Sequence, residues 1–119
     1  MRRLTMALYV ALAPAGLASM AARAADNLHF YYSGDDLLRE CTSSSGRNQY
    51  SCMGYLQGVA DTLAVDRILA NKNACIEPNV SAAQLRDVII LYLKNNPADR
   101  RLPASAAAKS AFTTALTCE

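Results

Sequence analysis

The sequence predicts an all-α fold class: a small four-helix domain stapled by two disulfides, behind a cleaved signal peptide. Three observations carry this. Four segments repeat apolar residues at three-and-four spacing, no segment shows a convincing strand alternation, and four cysteines follow a largely apolar leader.

The leader comes first. "MRR" is a short basic start, "LTMALYVALAPAGLASMAA" follows without a charge, and Ala22-Arg23-Ala24 sets small residues where a signal peptidase reads. Residues 1–24 are therefore expected to be removed, leaving one domain over 25–119. A membrane anchor fits less well, because Pro14, Gly16 and Ser19 interrupt the run before the cleavage site. The pair Arg2-Arg3 lacks the rest of a twin-arginine consensus. Three of the twelve basic residues leave with this segment and none of the ten acidic ones, so the charge falls from +2 to −1. No basic patch remains to bind nucleic acid, and no membrane association is expected after cleavage.

A domain of this size buries a limited core and gains from covalent ties. Cys41, Cys52, Cys75 and Cys118 all follow the leader. An even number in an oxidising compartment reads as two disulfides, with three possible connectivities. Zinc is the rival reading. No two cysteines lie within four residues of each other and the single histidine, His29, is far from all of them, which does not fit common zinc modules.

The elements follow in order. "YSGDDLLREC" is a first helix with Ser33 as N-cap and Asp36 three residues on, a capping-box signature; Leu37, Leu38 and Cys41 form its apolar edge. A polar loop leads to a second helix from about Gln49 to Ala70, along which Cys52, Leu56, Val59 and Leu63 make a stripe. "NKNACIEPN" breaks it. The third helix, "SAAQLRDVIILYLKNN", opens on a Ser81/Gln84 capping box and is expected to bury Leu85, Val88, Ile89 and Tyr92. "NNPADRRLP" is a polar loop with two prolines. The last helix, Ala104 to Thr117, packs through alanines, Phe112 and Leu116.

Gly54 and Gly58 sit four apart on the second helix, where each costs about 1 kcal/mol relative to alanine. On one face they make a notch that another backbone can approach. Packing within the chain beside Cys52 is the first reading, and a subunit contact the alternative. Catalysis is not expected. His29 lies in an N-terminal arm, no serine sits in a nucleophile elbow, and oxidised cysteines offer no thiolate. Asp61 and Asp66 do not share a helix face, and Asp35 and Asp36 suit a helix start. The composition of the site inventory favours a binding protein without cofactor or metal.

The order Leu37-Leu38-x-x-Cys41, "CMGYLQGVADT" (Cys52–Thr62), "CIEPNVSAAQL" (Cys75–Leu85), "VIILYLKNNPADR" (Val88–Arg100) and a terminal "ALTC" resembles the Rap/Tai family of bacterial immunity proteins. The one departure is the ending, where "LTC" stands in place of an aromatic-proline word. The resemblance implies a periplasmic helical protein, frequently dimeric and not an enzyme, that binds a type VI secreted peptidoglycan amidase effector and obstructs its catalytic cleft. A periplasmic acid-stress chaperone, or an envelope protein with a structural partner, is the alternative. The preferred pairing is Cys41–Cys52, clipping the first helix to the second, and Cys75–Cys118, holding the last helix to the connection before the third. Asn95, Asn96, Asp99, Arg100 and Arg101 are expected to contact the effector, on a loop stiffened by Pro97 and Pro103. A homodimer is expected through Gly54, Gly58, Ile90 and Leu93.

Overall fold

A computed structural model describes residues 29–116 and 118. The expected leader, 1–24, lies outside these residues. Among these residues there are four helices, α1 (Gly34–Cys41), α2 (Gly46–Leu69), α3 (Ala82–Asn95) and α4 (Ala104–Ala115), with a 3₁₀ turn, Pro97–Arg101, between α3 and α4. No strand is present among the described residues.

Both expected capping boxes form. Ser33 Oγ accepts from the Asp36 amide at 3.1 Å while Asp36 Oδ2 accepts from the Ser33 amide at 3.0 Å. At α3 the Ser81 amide donates to Gln84 Oε1 at 2.7 Å, and Ser81 Oγ accepts from the Gln84 amide at 3.2 Å. These pairs satisfy amides that the first helical turn leaves without partners. α2 starts at Gly46, three residues before its expected start, and ends where Asn71 takes a left-handed conformation (φ 57°), as short amides do beyond a helix end.

The two disulfides are Cys41–Cys52 and Cys75–Cys118, with Cα–Cα distances of 5.2 and 5.0 Å. Both separations lie within the usual range for a bridge. The first places the end of α1 on the start of α2; the second ties the chain end to the segment between α2 and α3.

The core joins Leu37 of α1, Cys52 and Leu56 of α2, Leu85, Ile89 and Leu93 of α3, and Phe112 of α4. Ala104, Ala107, Ala108 and Ala111 are fully buried, so α4 lies close against its neighbours with methyl groups alone at much of its seam. On α3 the buried stripe is Leu85-Ile89-Leu93, while Val88 and Tyr92 are half-buried flanks. This corrects the expected stripe, because α1, α2 and α4 all pack on α3 and centre it on the i, i+4, i+8 positions.

α1 and α4 are joined at their starts. The Gly34 amide donates to the Leu102 carbonyl at 3.0 Å, and the Ala104 amide donates to the Tyr32 carbonyl at 2.8 Å. Gly34 is buried, and a Cβ there would meet the Arg100 Cα and the Asp99 carbonyl oxygen, each at 2.9 Å. Only glycine lets the two backbones approach this closely.

Candidate functional site

The connection from α3 to α4 is a built knuckle rather than a loose loop. Pro97 sits in the first turn of the 3₁₀ segment, where its fixed φ and missing amide donor cost nothing. Asp99 points back to α3 and accepts from the Tyr92 hydroxyl at 2.6 Å. That hydrogen bond to a carboxylate, with burial added, raises the Tyr92 pKa above its ordinary value. Arg100 Nε donates to the Leu93 carbonyl at 2.8 Å, and Asn96 Nδ2 donates to the Tyr92 carbonyl at 2.8 Å. The Leu93 carbonyl, near the end of α3, is thus closed by a side chain of the knuckle, and the Tyr92 carbonyl, which already accepts from the Asn96 amide at 2.9 Å, gains a second donor. Beneath it lies the Gly34 backbone.

The five polar residues expected to act together therefore divide. Asp99 and Arg100 are half-buried and hold the knuckle in shape, whereas Asn95, Asn96 and Arg101 remain exposed. Leu102, 41% exposed, joins them on the outer surface. Beside the knuckle a groove of about 470 Å³ runs between α3 and α4, bordered by Leu91, Tyr92, Asn95, Asn96, Thr114 and Ala115. Leu91 is 63% exposed there. No motif or apolar stripe in the sequence marks Leu91, Leu102 or Gly34. Leu91 lies off the apolar stripe expected on α3, and the seat beneath the knuckle depends on residues far apart in the chain.

The residues expected at a dimer contact also separate. Leu93 has no exposed surface in the single chain, so it belongs to the core and cannot line a contact between copies. Ile90 is half-buried on the flank of α3. Gly54 and Gly58 are exposed, and a Cβ built on either meets nothing within 4 Å. The reading of this pair as packing within the chain is corrected: no described part of the chain fills the notch. Among the described residues no group of histidine, cysteine and acidic side chains could hold a metal ion. None of their helices is long and apolar enough to cross a membrane.

A profile of the Rap1a immunity proteins matches residues 33–118, from the α1 N-cap to the last cysteine. The chain belongs to the Rap1a immunity protein family. The match takes in all four helices, both disulfides and the knuckle, so the Rap1a fold of this chain is the whole described domain. No curated protein and no solved structure matches the chain. Membership in the Rap1a family makes this an immunity protein for a secreted effector.

Proposed function

We propose that this Rap1a protein is exported to the periplasm, where it binds a type VI secreted peptidoglycan amidase and blocks its catalytic cleft, acting as a homodimer. The observation that carries this reading is the tethered knuckle. Tyr92–Asp99, Arg100–Leu93 and Asn96–Tyr92 bonds fix the backbone between α3 and α4, leaving Asn95, Asn96, Arg101 and Leu102 on its outside. A protrusion held in shape before binding loses little entropy when it enters a cleft. Two amides offer donors and acceptors to the cleft, Arg101 offers a charge to an acidic rim, and Leu102 offers apolar area. Inhibition by occlusion needs no cofactor or metal.

The test is a peptidoglycan cleavage assay with a secreted amidase encoded beside this chain. Equimolar immunity protein should stop cleavage by that amidase and leave an unrelated cell-wall hydrolase active. Undiminished cleavage, with no complex on gel filtration, contradicts the reading for that amidase.

A further inference from the structure

The two disulfides differ in their surroundings. Cys41 and Cys52 belong to the core and are 4% and 0% exposed. Cys75 and Cys118 are only half-buried, at the margin where the α2–α3 connection meets the segment beyond α4.

The backbone at Cys75 is also strained. Its φ is 66°, in the left-handed region where the Cβ of an ordinary residue crowds the following carbonyl. The Ile76 amide donates to the Ala74 carbonyl at 2.9 Å and closes a three-residue turn around Cys75. With a positive φ at its centre, this is the rare hand of that turn. The other backbone bonds donated from residues 71–80 are local as well: Asn71, Lys72 and Val80 donate to Ile68, Arg67 and Glu77. Among the described residues no backbone hydrogen bond joins this connection to α4. Ile76 and Val80 rest on the core, yet a cleft of about 240 Å³ remains between the stretch 76–80 and α2. The bridge therefore joins two segments that hydrogen bonding leaves apart.

We infer that Cys75–Cys118 is a thiol-exchange site of the folded protein, which a dithiol opens while Cys41–Cys52 stays closed. One thiolate of the dithiol attacks a sulfur of the bridge, forms a mixed disulfide and releases the other cysteine. The second thiol of the same reagent gives up its proton and displaces the cysteine still attached. The dithiol leaves as its own disulfide, and Cys75 and Cys118 gain its two electrons and two protons. Exchange needs access to a sulfur, and Cys41 and Cys52 give none until the helices around them part. The longer loop of Cys75–Cys118 adds chain entropy to its stabilisation, but that acts on the unfolded chain and does not shield the sulfurs of the folded one. Once the bridge is open, Cys75 can leave the left-handed region, which disfavours reclosure. The 71–80 connection then comes free of the end of α4. The knuckle follows the opposite end of α3 and keeps its tethers. This redox-sensitive clasp stands on the surroundings of the cysteines and not on the effector reading.

The experiment treats the folded, oxidised protein with dithiothreitol, quenches with iodoacetamide at intervals and maps the alkylated peptides, with circular dichroism and hydrogen exchange followed in parallel. Cys75 and Cys118 should be alkylated about tenfold or more faster than Cys41 and Cys52. Helicity should persist when only the first bridge is open. Amides of residues 71–80 should then exchange about tenfold faster, with those of Asp99 and Leu102 in the knuckle unchanged. Equal rates at the two bridges, or earlier opening of Cys41–Cys52, overturn the inference. So does loss of helicity on opening the first bridge, or unchanged exchange over 71–80.

Discussion

Gly34 and the pair Gly54/Gly58 show how one residue type serves opposite ends. A Cβ at Gly34 would collide with the backbone of Arg100 and Asp99, which cannot rotate away as a side-chain tip can. Gly34→Ala should therefore lower stability by about 1–3 kcal/mol in urea unfolding. At Gly54 and Gly58 nothing is in the way and no positive φ requires glycine. Alanine at either site should stabilise the isolated chain by about 1 kcal/mol, measured at concentrations too low for association. Asp36 gives a second test at this scale. Its bonds to the Ser33 side chain and amide, aided by Arg39, lower its pKa from 3.8 to about 2. A carboxylate depressed in the folded state stabilises above its unfolded pKa and loses that contribution as pH falls through the folded value. Acid unfolding should therefore show a loss between pH 4 and pH 2 that Asp36→Asn removes. Tyr32, beside α1, is also perturbed: burial first, then the neighbouring Glu40, raises its pKa, so it stays a neutral hydroxyl in ordinary buffers.

At the scale of elements, the knuckle and the two disulfides set what can move. Arg100→Ala removes the donor that closes the Leu93 carbonyl and should cost about 1–2 kcal/mol in the same unfolding measurement. Arg101→Glu, on the outer surface, should change stability by about 0.5 kcal/mol or less. The disulfides differ in reach. Cys41–Cys52 spans 11 residues and Cys75–Cys118 spans 43, so chain entropy alone assigns them about 3 and about 4 kcal/mol. Much of this architecture was legible in the sequence because its signals are local. Ser33 with Asp36 and Ser81 with Gln84 announce helix starts within four residues, and apolar spacing announces the faces. The cysteines alone leave three pairings open, and the preferred one, which clips neighbouring helix ends together, is the one that forms. The knuckle was legible only as a polar, proline-bracketed loop. Which of its side chains turn inward depends on Tyr92 and the Leu93 carbonyl a turn or two away, and on Gly34 from the far end of the domain. Leu93 was misplaced for a similar reason: α3 has apolar residues on several sides, and only packing by three helices chooses among them.

For the whole molecule, the features separate into a buried scaffold and two outward features at different places. The knuckle presents Asn95, Asn96, Arg101 and Leu102 beyond one end of α3, and the Cys75–Cys118 bridge lies before the other. This separation makes effector binding and thiol exchange independently testable, since a change at one need not disturb the other. Membership in the Rap1a family supplies the class of partner, and the proposed occlusion rests on the tethered knuckle. The most direct measurement is calorimetric titration of the neighbouring amidase with the unaltered protein and with a variant carrying Asn95→Ala and Arg101→Glu, which leaves every tether of the knuckle in place. The variant should keep its helicity and lose at least tenfold in affinity, about 1.4 kcal/mol, with a matching loss of inhibition. Equal affinity and equal inhibition for the two proteins would contradict occlusion by the knuckle.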